Sequence, residues 1–218
     1  MTRVVISGYY GFANAGDEAM LAAIVGSLKD IIPDVSITVI TGNCRMTREN
    51  HNVQAVHRLN FFAIAAAIRR CDILISGGGS LLQDVTSARS LYYYLWIMKI
   101  ALFFKKPVML YAQGIGPVRG AKARRAVRDV LQRVAVIGVR DADSKAELAA
   151  MGVTIRGIYE RNDVKVRELD GMEEYKGWYQ ADFLPQPGSV LTTIDENGIL
   201  YDVDVENGQK TEKPLWKV

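Results

Sequence analysis

The 218-residue sequence contains no G-x-G-x-x-G, no Gly-Lys-Ser/Thr and no C-x-x-C. The first absence argues against a dinucleotide site built on the usual fingerprint, the second against a P-loop, and the third against a thiol redox pair. Cysteine and histidine are scarce, two of each. Cys44 and Cys71 stand far apart, and Cys71 precedes an apolar run where a small buried residue fits. With no secretory leader in front of them, the chain reads as cytosolic and reduced. His51 and His57 make no metal-ligand spacing with the cysteines, so both are expected in surface or loop roles. No uncharged apolar run reaches the ~20 residues of a membrane span. The most apolar stretch, residues 91–104, holds Lys99 and reads as a buried crossover helix. Its alternative is an interfacial helix, with Tyr and Trp at the headgroup level and Lys105 and Lys106 at its end.

What the sequence does contain is a repeated alternation. Short β-branched runs at residues 3–7, 36–41, 72–76, 107–112 and 135–139, with a weaker one near 53–56, are each bounded by turn residues. Stretches of helical periodicity at 17–31, 60–70, 88–104, 119–133 and 143–151 separate most of them. Buried parallel strands joined by helices explain this rhythm, and the expected class is α/β, a doubly wound, mostly parallel sheet. The rhythm stops near residue 156. Residues 1–156 carry 20 basic and 11 acidic side chains, a net +9, whereas residues 157–218 carry 7 and 13, a net −6. That split predicts two modules, the second an acidic, β-rich tail. Alternating runs at 189–194 and 199–205 flank an Asn-Gly step, the strongest short-range hairpin signal. A basic first module favours phosphates or an anionic membrane surface, and no nucleic-acid partner is expected.

Three glycine-bearing segments follow apolar runs, and the carboxyl ends of parallel strands are where open α/β sheets bind ligands. The first leads into Asp17 and Glu18, whose carboxylates suit the first turn of a helix whether or not they have a further role. In the second, Gly77, Gly78 and Gly79 can present successive backbone N–H groups to a phosphate or carboxylate, with Ser80 and Asp84 on the same rim. Asp84 reads as a helix-capping residue, a general base or a holder of sugar hydroxyls. The third carries Gln113, Gly114 and Gly116, and an amide at the end of an apolar strand is expected to point into the crevice and find partners there. Arg140 ends the fifth strong run and offers a planar fork for an anion, unless it simply pairs with Asp141.

The segments GYYGFANAGDE (8–18), SGGGSLLQD (76–84), YAQGIGP (111–117) and VRD (139–141), in this order, resemble the polysaccharide pyruvyl transferase family. The closest resemblance is to bacterial enzymes that act on lipid-linked precursors of secondary cell wall polymers. The resemblance implies one lobe of a GT-B-like fold, with phosphoenolpyruvate as donor substrate and no cofactor. It also implies a lipid-linked sugar as acceptor, a cyclic pyruvate ketal as product, and peripheral contact with the cytoplasmic membrane face. Catalytic Asp84 and substrate-binding Asp17, Gly77, Gly78, Gly79, Ser80, Gln113, Gly114, Gly116 and Arg140 follow from it as expectations. The match ends near Ile155, where the family continues into a second lobe with a histidine. This part of the chain is therefore expected to position donor or acceptor. The alternatives are a non-catalytic sugar-phosphate-binding module and a lobe of a GT-B-like glycosyltransferase.

Overall fold

The computed structural model describes residues 1–154 apart from Thr86, and beyond them the backbone of short strands. Two units divide the chain, Met1–Ile158 and Tyr159–Val218. The turns read at 195–198 and 206–208, and the break after residue 156, lie outside the described residues.

In the first unit the strands are β1 (Thr2–Ser7), β2 (Val35–Thr41), β3 (Gln54–His57), β4 (Ile73–Leu82), β5 (Val108–Ile115) and β6 (Val136–Val139). They lie in the order β3-β2-β1-β4-β5-β6, every neighbour parallel. The helices are α1 (Ala15–Ile31), α2 (Cys44–His51), α3 (Phe61–Arg70), α4 (Ala88–Phe103), α5 (Ala121–Leu131) and α6 (Ala142–Ala150). The chain winds outward from β1 to β3, crosses back to β4 and winds the other way, which makes the sheet doubly wound. The gap between the carboxyl ends of β1 and β4 is the point where the order reverses.

Period-two alternation gives each face its own core. On one face Val4, Ile6, Ile37, Val39 and Ile75 pack with Leu21, Ile24 and Val25 of α1. On the other, Val5, Ile40, Leu74 and Leu110 pack with residues of α3, α4, α5 and α6. Such burial is worth about 1.5–3 kcal/mol per large side chain. Cys71 belongs to this second core, where burial pushes its thiol up to about 11 and leaves it unreactive. α6 is also tied to the sheet by a polar contact, since Ser144 Oγ, fully buried, accepts the Ile115 N–H at 2.9 Å. Ser144→Ala strands that N–H away from water, and a loss of about 1–3 kcal/mol is expected by urea denaturation.

Three features differ from the sequence reading. β4 continues through Gly77, Gly78 and Gly79 to Leu82, with a register shift between Gly79 and Leu82, and β5 continues through Gln113 to Ile115. The glycine run is therefore not a terminal turn but strand, with Gly77 opposite Tyr111 and Gly79 opposite Gln113. Helix α2 is new. Its buried side chain is Thr47, so no apolar stripe announces it, and it is secured by Asn43, whose side chain accepts the Met46 N–H at 3.1 Å. α1 starts two residues earlier than its acids suggest, because Asn14 is the N-cap and accepts from Gly16 and Asp17.

In the second unit β8 (Val164–Glu168) and β9 (Tyr179–Phe183) pair antiparallel, and β10 (Val190–Ile194), β11 (Ile199–Asp204) and β12 (Trp216–Lys217) form an antiparallel sheet. β7 (Ile158–Glu160) spans the division between the units. The two alternating runs of the sequence are thus β10 and β11, with Ile194 opposite Leu200.

Candidate functional site

A cavity of about 510 Å³ opens at the carboxyl ends of β1 and β4, lined among others by Tyr9, Asn14, Asp17, Ser80, Ser90 and Tyr94. It occupies the reversal point of the sheet, where ligands of open α/β folds bind. A larger cavity, about 730 Å³, is lined by Met1, Arg3 and Ser36 at the opposite ends of the strands together with α3, and gathers none of the predicted site residues. The smaller one, which gathers Asp17 and Ser80, is the candidate site.

Asp17 sits in the first turn of α1 with Oδ1 3.1 Å from where a side chain on Gly79 would begin. Burial, and then the neighbouring Glu18 carboxylate, raise its proton affinity above that of an ordinary aspartate. Glu18 itself acts on the loop. Its Oε1 accepts the Gly11 N–H at 2.7 Å, and Oε2 meets His51 Nε2 of α2 at 3.1 Å. His51 is accordingly largely buried and tied to this loop, in contrast to the surface role expected of it.

Gly78 has a positive φ of +24°, and a side chain there would fall on the Met20 sulfur of α1. Gly77 packs against the Tyr10 hydroxyl. These glycines let β4 and α1 approach closely enough to bring Asp17 over Gly79, which is a packing role. Ser80 reaches further along β4: Ser80 Oγ and the Arg140 guanidinium both crowd the point where a Cβ on Gly114 would stand, at 2.7 and 2.9 Å. Ser80 thereby links the Asp17 side of the site to the Arg140 side. Arg140 Nε donates to Asp141 Oδ2 at 2.8 Å, but both side chains are about half exposed. Such a pair contributes little to stability. Asp141 also caps α6 by accepting the Ser144 N–H.

Asp84 lies apart from the cavity lining. Its carboxylate accepts the N–H groups of Arg119 and Gly120 at 2.9–3.0 Å, pinning the start of α5 to the end of β4. These backbone donors, Gly120 first, hold the Asp84 carboxyl below the usual range. Gly116 faces Glu147 of α6 rather than the cavity. Gln113 departs most from expectation. Ala112 adopts φ +46°, and the β5–β6 register shifts there, a bulge that reverses the alternation. Tyr111, before the bulge, packs on the α1 face by ordinary alternation with Leu110, whereas Gln113, beyond it and fully buried, accepts the Ser76 hydroxyl at 3.1 Å. Its amide points into the sheet, and Nε2 has no partner among the described residues.

Arg58, at the end of β3, carries no local sequence signal and was not anticipated. Its guanidinium lies 5.3 Å from the Phe12 ring and 5.0 Å from the Tyr93 ring. Phe12 in turn stacks on Tyr9 of the cavity wall at 4.4 Å. The aromatic neighbours hold a cation beside the crevice without a carboxylate partner. No group of three His, Cys, Asp or Glu side chains is placed to hold a metal ion among the described residues.

A doubly wound parallel sheet with a polar crevice at its reversal point, holding one carboxyl of raised proton affinity, defines a Rossmann-like α/β domain. The chain belongs to the polysaccharide pyruvyl transferase family, whose model matches residues 14–160. Short similarities also exist to ribosomal RNA large subunit methyltransferase I of Aeromonas salmonicida, 41% identical, and of Aliivibrio fischeri, 43% identical. Each covers 54 residues, 25% of this chain and 13% of the methyltransferase. Among solved structures, a ribokinase-like superfamily protein of Enterococcus faecalis V583 superimposes with a TM-score of 0.45 at 12% identity, covering 75% of this chain and 58% of that one. A hypothetical protein of Streptococcus mutans does so with a TM-score of 0.46 at 13% identity, covering 76% and 61%.

Proposed function

We propose that this lobe binds phosphoenolpyruvate and a sugar of a lipid-linked polysaccharide precursor, and takes part in forming a pyruvate ketal on that sugar at the cytoplasmic face of the membrane. The observation that carries the reading is the crevice itself, lined by Asp17 and Ser80, with the Arg140 guanidinium next to Ser80 over Gly114. In the reaction a proton adds to the methylene carbon of the enol, making it a methyl group and leaving positive charge at the central carbon. One sugar hydroxyl attacks that carbon and gives up its proton; a second does the same as the bond to phosphate breaks, so inorganic phosphate leaves. A carboxylate that binds protons more tightly than usual is suited to receive a hydroxyl proton. Asp17 is assigned that role. Asp84, with its oxygens committed to backbone amides and its basicity lowered, serves better as a brace for the loop at the start of α5 or as a holder of a hydroxyl. Arg140 and Arg58 supply positive charge for the donor's carboxylate and phosphate.

The test is phosphate release from phosphoenolpyruvate in the presence of a lipid-linked disaccharide, together with calorimetric titration of phosphoenolpyruvate into the 218-residue chain. Arg140→Ala is expected to weaken donor binding about 10- to 100-fold, the worth of a charge-assisted contact, with an unchanged melting temperature. Wild-type affinity in that variant removes Arg140 from the site. Saturable binding of a nucleotide sugar with none of phosphoenolpyruvate would favour a glycosyltransferase lobe instead.

A further inference from the structure

We infer that the outer face formed by α3 and α4 docks on an anionic lipid surface. Neither helix contains an Asp or a Glu. On α4, Arg89, Tyr92, Trp96, Lys99 and Phe103 recur at spacings of three and four and form one outward line, while Leu91, Leu95, Met98 and Ala101 face the core. On α3, Phe62, Ala66 and Arg69 form the matching line, with Ile64 and Ile68 inside. The helices lie side by side: the Phe61 ring meets Trp96 edge-on at 5.0 Å, and the Tyr93 hydroxyl donates to the Arg58 carbonyl at 3.0 Å.

Large apolar side chains are left in water across this face. On the two helices Phe62 is 91% and Phe103 79% exposed, and Leu59, in the turn leading into α3, is 63% exposed. Isolated exposed apolar residues need no explanation, but a group of them on two adjacent helices does. Around them stand five exposed cations, Arg69, Arg70, Arg89, Lys99 and Lys105. None of the five is paired with a carboxylate among the described residues. Phe, Tyr and Trp set among Lys and Arg are the composition of helices that lie in the headgroup layer.

Charge selects the occupant. A second copy of this chain meeting the face isologously would set these cations against one another with no acid between them. A protein partner would have to bury charges at the centre of its interface, where they are normally depleted. An anionic bilayer satisfies both halves, taking the aromatic rings into the headgroup boundary and pairing the cations with phosphates. The same helix α4 presents Ser90 and Tyr94 to the crevice, so docking would hold the site beside the lipid surface. This deepens the proposed function by naming the surface through which a lipid-linked acceptor is approached, yet it is read from vesicle binding without donor or acceptor, so either proposal can fail alone.

The experiment is co-sedimentation of the full 218-residue chain with vesicles of phosphatidylcholine, with and without about a quarter phosphatidylglycerol. Binding to the anionic vesicles that weakens with added salt, and little binding to the neutral ones, is expected. Phe62→Ser with Phe103→Ser should reduce partitioning at least about tenfold. Arg69→Gln, Arg89→Gln and Lys99→Gln together should reduce it on the order of a hundredfold. All five positions are exposed, so thermal melts of both variants should match the parent and separate loss of binding from loss of fold. The proposal is overturned if the parent chain ignores anionic vesicles at low salt, or if both variants bind as it does. It is equally overturned if sedimentation velocity shows a dimer that the Phe variant dissociates, or if single-stranded oligonucleotides are retained while vesicles are not.

Discussion

Gly78→Ala is expected to lose about 2–6 kcal/mol of stability, toward the lower end if the Met20 thioether swings aside. The magnitude has two sources. A methyl group at this position lands on the Met20 sulfur, in the seam between β4 and α1, and overpacking of this kind costs about 1–3 kcal/mol. The backbone is held at φ +24°, a region that a side chain populates only with strain of about 1–3 kcal/mol. A second substitution separates the two. Met20→Ala combined with Gly78→Ala removes the collision and leaves the strain, so the double variant should be less destabilised than the sum of the singles. Urea midpoints of the four proteins measure this, and a Gly78→Ala midpoint equal to the parent's would refute the account of β4.

Asp17→Asn is the second, with opposite effects on turnover and on stability. If the carboxylate accepts the hydroxyl proton, its loss should lower the rate about 10²- to 10⁴-fold. The acidic limb of the pH–rate profile should lie above the range of an ordinary aspartate, because burial and Glu18 raise the Asp17 pKa. Protonation silences a base, so activity falls as pH is lowered through that limb. Stability runs the other way. A carboxyl whose folded pKa is raised favours the native state most fully below the ordinary value near 3.8, and that contribution disappears as pH rises through the raised value. At neutral pH the ionised group therefore weighs against folding, and Asp17→Asn should melt at the same or a higher temperature, as trade-offs between function and stability predict. An inactive variant that also melts early would point to a structural role.

Most parallel strands of the first unit were legible as short apolar, β-branched runs with buried residues, and the edge strand β3, Gln-Ala-Val-His with no fully buried residue, gave only the weaker signal near 53–56. The helices α1, α3, α4, α5 and α6 showed through their apolar stripes. α2 was not, because it buries a threonine through one hydroxyl contact, Thr41 Oγ1 to Thr47 Oγ1 at 2.8 Å, instead of an apolar stripe. The glycines 77–79 were noticed for sound reasons and assigned the wrong geometry: glycine at the end of an apolar run serves a turn or a close approach equally well, and what decides is Met20, nearly sixty residues earlier in the sequence. Gln113 misled for a related reason. Its side depends on one bulge at Ala112, and alanine carries no hint of a left-handed backbone. Arg58 could not be found at all, since its meaning comes from two aromatic rings contributed by distant segments. The pattern puts Asp17, Ser80 and Arg140 toward a common edge, but nothing in it shows that the Asp84 carboxylate is taken up by the Arg119 and Gly120 amides, which is what favours Asp17 in the proposed role.

That the crevice floor is ladder-bonded strand and not loop bears on the thermodynamics of recognition. A ligand settling between Asp17 and Ser80 meets a bulge, since β4 and β5 pair at Gly77–Tyr111 and Gly79–Gln113 and resume only at Leu82–Ile115, so the main chain is held on both sides of Ser80 and only a short step between remains to be fixed. The entropy of association should then come mainly from the ligand's own loss of motion, from released water and from the short Ser80–Leu81 step, with selectivity left to the few side chains that stand above it.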